Sequence, residues 1–205
     1  APANNDPSAN AGADQSVAAA TSVTLDASAS ADNDPGDSIV SYAWTQSLGT
    51  AVTLSSTSES QPTFTAPSLN VGDSALTLVL KVEVTDTQGA TATDTVTITV
   101  NAPANNDPSA NAGADQSVAT AATVTLDASA SADADPGDSI VSYAWTQSSG
   151  TDVKLSSTSA SQPTFTAPSL NVGDSALTLV LQVEVTDTQG ATATDTVTIT
   201  VNAPA

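Results

Sequence analysis

The sequence predicts an all-β chain made of two consecutive antiparallel β-sandwich domains, residues 1–101 and 102–205. The first observation is an internal repeat, because 92 of 101 positions are identical at an offset of 101 residues. The second is an alternation of apolar and polar residues with a period of two, which is typical of strands. The third is unit size, since about 100 residues is usual for one domain with its own core.

The most regular strands lie in the last third of each repeat. Residues 75–85 alternate, with Leu78, Leu80 and Val82 on one face and threonine or charged residues on the other. Residues 95–100 repeat the pattern, and the segment 86–89 between them has the composition of a hairpin turn. The two segments therefore predict adjacent antiparallel strands with one buried face.

Shorter strands are predicted earlier in the repeat, over residues 22–27, 38–46, 51–54 and 61–66. On the second of these, Val40, Tyr42 and Trp44 share one face, and we expect Trp44 to pack between two sheets. Leu48, which is serine in the second repeat, is expected in an exposed turn. Seven or so short strands separated by turn-rich segments indicate a sandwich.

Several strings in each repeat resemble one known family. They are Pro7-Ser8-Ala9-Asn10-Ala11-Gly12, Val23-Thr24-Leu25-Asp26-Ala27-Ser28, Ile39-Val40-Ser41-Tyr42-Ala43-Trp44-Thr45-Gln46, Phe64-Thr65-Ala66-Pro67, and Val84-Thr85-Asp86 with Gly89. Together they resemble the polycystic-kidney-disease (PKD) domain family. The resemblance implies an immunoglobulin-like sandwich of the kind found in secreted enzymes and surface proteins, several of which bind calcium. The near-identical tandem copies also resemble the extender arrays of bacterial RTX-type adhesins.

An acidic loop in each repeat is the main candidate for chemistry. It places Asp32, Asp34 and Asp37 within six residues, beside a proline and a glycine that form a turn. Loops at one end of a sandwich would bring this segment close to Asp86 and to Asn5. Calcium prefers six to eight oxygen ligands, mostly carboxylates and carbonyls. The predicted Ca²⁺ ligands, which the PKD resemblance also implies, are Asn5, Asp32, Asp34, Asp37 and Asp86, with Asn106, Asp133, Asp135, Asp138 and Asp187 in the second repeat. An ordinary acidic turn without metal is the alternative.

Other acidic residues are assigned different roles. Asp26 follows a core leucine and precedes an Ala-Ser run, so we expect it to accept hydrogen bonds from turn amides. Asp14 and Asp94 are expected to be solvated.

Composition excludes several functions. The chain has 22 acidic and 2 basic residues, a net charge of −20, which would repel nucleic acid and anionic membranes. Adaptation to salty water would explain the same charge. Histidine and cysteine are absent, so Ser-His and Cys-His nucleophile systems are impossible and we predict no enzyme. No apolar run reaches the roughly 18 residues of a membrane span.

The favoured function is a calcium-binding spacer in a large extracellular bacterial adhesin or surface protein. Its partners would be neighbouring repeats, with polysaccharide or surface ligands bound by domains outside this sequence. The short, proline-containing junction 101–107 favours a stiff connection. The alternatives are accessory domains of a secreted enzyme that degrades polysaccharide or protein, and a surface domain that associates with itself through calcium.

Overall fold

The computed structural model describes residues 4–205 and divides the chain into two compact units, with the boundary between Ala104 and Asn105. The first three residues of the first predicted domain lie outside the described residues. Within residues 4–205 there is no helix, so no helical segment of that part is available to cross a membrane.

Each unit contains a four-stranded and a two-stranded sheet. The first unit contains β1 (Gln15–Ala18), β2 (Ser22–Thr24), β3 (Ile39–Leu48), β4 (Thr63–Thr65), β5 (Leu76–Asp86) and β6 (Thr91–Asn101). The larger sheet has the order β1-β6-β5-β3, and the smaller pairs β2 with β4. All pairs are antiparallel except β1 with β6, which is parallel. The all-β sandwich expectation is confirmed.

The second unit repeats this arrangement. It contains β7 (Gln116–Ala119), β8 (Thr123–Thr125), β9 (Ile140–Ser149), β10 (Thr164–Thr166), β11 (Leu177–Asp187) and β12 (Thr192–Asn202). The larger sheet has the order β7-β12-β11-β9, and β8 pairs with β10. The equivalent strands have the same lengths in both units, as expected from 92 identical positions.

The core lies between the two sheets and follows the predicted alternation. Leu78, Leu80 and Val82 on β5 are completely buried, and they pack with the inward residues of β6 and with Phe64 on β4. Trp44 is only 2% exposed, and its indole Nε1 donates to a backbone carbonyl at 3.0 Å. The predicted packing of this tryptophan between the sheets is therefore confirmed.

The predicted inward orientation of Val40 is wrong, because its side chain is 58% exposed. The pairing of β3 with β5 shifts register between Ile39 and Ser41, so Val40 occupies a β-bulge. The extra residue reverses the alternation at this point. As a result Ile39 packs against the core instead, while Tyr42 faces the core as predicted, although it is only partly buried.

Two predictions for the segment around the end of β3 also differ from the structure. Residues 51–54 form no strand, although Val52 and Leu54 still pack against the core. The backbone N–H of Val52 donates to the side-chain oxygen of Gln46 at 2.9 Å. This hydrogen bond takes the place of the one that the N–H would make to a neighbouring strand. Leu48 is exposed as predicted, but β3 extends to include it, two residues beyond the expected end.

Candidate functional site

The acidic loop between β2 and β3 is shaped by its own polar groups. The backbone N–H of Asp34 donates to Asp32 Oδ1 at 2.6 Å, and the N–H of Asp37 donates to the carbonyl of Asp34 at 3.0 Å. Gly36 has a φ of +85°, a conformation that favours glycine. These bonds close a tight turn that keeps all three carboxylates on a short segment.

The turn between β5 and β6 supplies a fourth carboxylate. Asp86, which ends β5, is 1% exposed, and its Oδ1 accepts the backbone N–H groups of Gln88 and Ala90 at 2.8 Å each. The neighbouring Thr87 donates both its N–H, at 3.0 Å, and its hydroxyl to Asp37 Oδ1. The acidic loop and this turn are therefore bonded directly to each other, as expected for loops at one end of a sandwich.

The segment entering the unit joins the same cluster. Asn5 donates through its backbone N–H to Asp34 Oδ2 at 2.8 Å and through Nδ2 to Asp34 Oδ1 at 2.7 Å. Asn4, which the sequence reasoning did not select, donates through Nδ2 to Asp86 Oδ2 at 3.0 Å. The repeated Asn-Asn pair was the available signal for this residue. In this arrangement both asparagines are donors to carboxylates.

The second unit forms the same bonds. Asn105 donates to Asp187 Oδ2 at 3.0 Å, and Asn106 donates to both oxygens of Asp135 at 2.7 and 2.8 Å. Thr188 donates its N–H to Asp138 Oδ1 at 2.9 Å. All ten sequence-predicted site residues therefore fall in two equivalent clusters, one in each unit.

Carboxylate oxygens approach closely within each cluster. One oxygen from each of Asp32, Asp34 and Asp37 lies within 4.8 Å of the others. In the second unit the group that meets this distance is Asp133, Asp138 and Asp187, so Asp187 takes part there in place of Asp135. Three of the oxygens are fully buried and accept no hydrogen bond, namely Asp32 Oδ2, Asp133 Oδ2 and Asp138 Oδ2. A buried anionic oxygen without a partner is unfavourable unless a cation neutralises it.

Hydrogen bonds favour the charged form of three of these acids, Asp37, Asp86 and Asp138. The hydroxyl of Thr87 holds the pKa of Asp37 below its usual value, and Thr188 does the same for the pKa of Asp138. Burial raises the pKa of Asp86, but donors led by Asn4 outweigh it, so the net shift is downward. A set of ionised oxygens that includes buried, unpartnered atoms fits a hard divalent cation such as Ca²⁺.

The acids outside the clusters have structural roles. Asp26 accepts the N–H and hydroxyl of Ser28 at 2.9 and 2.6 Å, as predicted for a turn. Asp14 is exposed, as expected, whereas Asp94 is half-buried, and both accept backbone hydrogen bonds. Asp94 accepts the N–H of Ala11, and Asp14 accepts the N–H of Thr97, both at 2.8 Å. These bonds fasten the segment before β1 to β6.

The aromatic residues offer no exposed platform for stacking on a sugar. The chain has two each of tryptophan, tyrosine and phenylalanine, one of each type per repeat. Trp44 and Phe64 are at most 4% exposed, Tyr42 packs half-buried against the core, and their equivalents in the second unit behave identically.

Comparisons with known proteins give one family. A family model described as "K319L-like, PKD domain" matches residues 11–100 and again residues 112–201. No curated protein sequence matches the chain.

Several solved structures are similar. The solution structure of the PKD domain from KIAA 1837 protein is 28% identical with a TM-score of 0.40, covering 50% of this chain and 94% of that one. The titin domains z1z2 in complex with telethonin are 13% identical with a TM-score of 0.48, covering 99% and 100%. A nucleoside hydrolase-related hypothetical protein from Saccharophagus degradans is 26% identical with a TM-score of 0.38, and the match covers 48% of this chain and 26% of that protein's chain.

Proposed function

Because the chain belongs to the K319L-like PKD domain family through both of its repeats, we propose that it is a calcium-binding spacer of an extracellular bacterial adhesin or surface protein. Membership of the family confirms the resemblance seen in the sequence and makes the chain a tandem of structural, adhesion-type modules. PKD domains are typically non-catalytic and commonly extracellular, which agrees with the predicted absence of enzymatic activity and the predicted location.

The carboxylate cluster carries the calcium part of the proposal. Three aspartate carboxylates approach closely in each unit, and one oxygen in the first unit and two in the second are buried without a partner. Asp32, Asp34 and Asp37 in the first unit, and Asp133, Asp138 and Asp187 in the second, would hold the ion. An ion there would supply the positive charge that offsets repulsion among these groups.

The link between calcium and a spacer rests on the asparagines. Asn105 and Asn106 are the first residues of the second unit, and both are bonded to carboxylates of its cluster. An ion bound by the cluster would restrain the positions of its carboxylates, and with them the asparagines that donate to those carboxylates. Calcium would therefore fasten the segment that enters each repeat and stiffen the connection between neighbouring repeats.

A calorimetric calcium titration of the whole chain, after removal of metal by chelator, tests the binding step. We expect saturable binding of one ion per repeat, and an absence of binding heat and of any calcium-dependent melting would refute it. Small-angle scattering with and without chelator tests the spacer step. We expect a narrower distribution of maximum dimensions with calcium, and identical distributions would leave calcium binding without a mechanical role.

The accessory role beside a secreted enzyme is less well supported. Sugar-binding modules usually present aromatic side chains to their ligand, whereas the aromatic residues of this chain pack into its cores. Binding of soluble polysaccharide to the chain, measured by affinity electrophoresis, would favour the accessory role instead.

A further inference from the structure

Equivalent glutamines of the two units occupy different positions beside the carboxylate clusters. In the first unit, Gln88 Nε2 donates to Asp37 Oδ2 at 3.0 Å. In the second unit the equivalent oxygen, Asp138 Oδ2, is buried and has no hydrogen-bond partner. The residues of both turns are identical, and the acidic loops differ only at Asn33, whose equivalent is Ala134. The two units therefore display nearly the same site with and without an amide on this oxygen.

The backbone around the glutamine is fixed, whereas its side chain is exposed. The N–H of Gln88 donates to the buried Asp86 Oδ1 at 2.8 Å, and the N–H of Gln189 donates to Asp187 Oδ1 at 2.9 Å. Both glutamines are exposed residues of the turn. The amide can therefore leave the cluster by rotation of its own side chain, with no change in the turn.

We propose that Gln88 and Gln189 are placeholder residues, whose amide N–H groups pair with Asp37 and Asp138 when no ion is bound and withdraw when a cation takes the same oxygens. The inference rests on the proposed calcium site. An amide donor and a divalent cation both bind to the lone pairs of a carboxylate oxygen, so the two compete for the same oxygen. The glutamine thus stabilises the ion-free protein and lowers its apparent affinity for calcium.

The test uses the full chain carrying Gln88→Ala and Gln189→Ala together, with calcium chloride as the titrant. Removing one amide-to-carboxylate bond from the ion-free state should tighten calcium binding by about threefold. The melting temperature should fall in chelator and stay unchanged at saturating calcium. Gln15→Ala is the matched control, because Gln15 Nε2 donates to a backbone carbonyl outside the cluster, and its calcium affinity should equal that of the unaltered chain.

The alternative results are distinct. Weaker binding in the double variant would mean that the glutamine carbonyl is itself a ligand, and this would overturn the proposal. Equal affinity would overturn it as well, because the amide would then make no difference to the ion. If the unaltered chain bound no calcium, both this inference and the proposed calcium site would be wrong. If the unaltered chain bound calcium tightly and the double variant bound it no more tightly, only the placeholder role of the glutamines would be wrong.

Discussion

Replacing Asp32 and Asp133 by asparagine should change stability in opposite directions with and without calcium. The Asn side chain keeps an oxygen that can accept the 2.6 Å bond from the N–H of Asp34 and the 2.7 Å bond from that of Asp135. It replaces the buried, unpartnered oxygen with an amide donor beside the other carboxylates. The substitution therefore removes charge repulsion in the ion-free state and removes a ligand in the bound state.

The magnitude follows from the spacing of the oxygens. Two unit charges 4.8 Å apart repel by about 0.9 kcal/mol in a water-like medium and by about 3.5 kcal/mol at an effective dielectric constant of 20. For domains of this size, 1 kcal/mol moves the melting temperature by about 4–8 °C. In chelator, the double variant should therefore melt about 4 °C or more above the unaltered chain.

Calcium should reverse this order. At a free concentration one hundred times the dissociation constant, binding stabilises the unaltered domain by about 2.7 kcal/mol, which corresponds to roughly 10 °C or more. The variant should lose most of that gain. Differential scanning calorimetry in chelator and in calcium measures both effects.

The control for this experiment is Glu83→Gln, which removes one negative charge from the exposed face of β5. It should keep the full calcium response. If the Asp32 and Asp133 variant melted lower than the unaltered chain in chelator, the proposed repulsion would be wrong. If it kept a full calcium response, the proposed ligand role would be wrong.

Three further predictions concern the framework around the site. Gly49→Ala should lower the free energy of unfolding in urea by at least about 2 kcal/mol more than Gly89→Ala does. A Cβ at Gly49 would meet the Thr77 carbonyl oxygen at 2.4 Å, whereas a Cβ at Gly89 would meet nothing within 4 Å, and both glycines have φ above +90°. Leu48→Ser should change stability by less than about 0.5 kcal/mol, while Leu80→Ala, at a fully buried position, should cost about 2–5 kcal/mol; equal costs would contradict the burial described. Ser28→Ala should raise the pKa of Asp26, because the Ser28 hydroxyl lowers it. The stability that this hydrogen bond contributes at neutral pH should disappear as the pH falls through the folded-state pKa, below about 3.9. Carboxyl NMR titration and unfolding at several pH values measure both effects, and an unchanged Asp26 pKa in the variant would show that this is wrong.

The predictable part of the fold is the part that depends on alternation alone. Leu78 and Leu80 could be placed in the core because apolar residues alternate with polar ones over eleven residues, and only one face of such a strand can be the buried one. Val40 could not, because a bulge adds one residue and no local sequence signal marks it. The segment at Val52 looks like a strand, but its N–H is taken by the side chain of Gln46, a contact that only the folded chain creates.

In the acidic clusters, too, local sequence patterns identified some residues, whereas others depend on contacts that form only on folding. Spacing and turn composition were enough to select Asp32, Asp34 and Asp37, because they lie on one short loop. The role of Asn4 depends on a bond to a residue 82 positions away, so the Asn-Asn pair could draw attention to this residue but could not identify its partner. Asp94 was missed for the same reason, since its partner is the backbone N–H of Ala11.

The parallel pairing of β1 with β6 determines how a unit would respond to a pulling force. Gln15 to Ala18 pair in register with Ile98 to Asn101, and these are the first and last strands of the unit. Tension applied through the two chain ends would act on the strands in opposite directions along their length. The backbone hydrogen bonds of all four residue pairs would then be loaded in shear and would have to break together, whereas an antiparallel terminal pair would open one bond at a time. A unit with this connectivity is suited to carrying load along the chain.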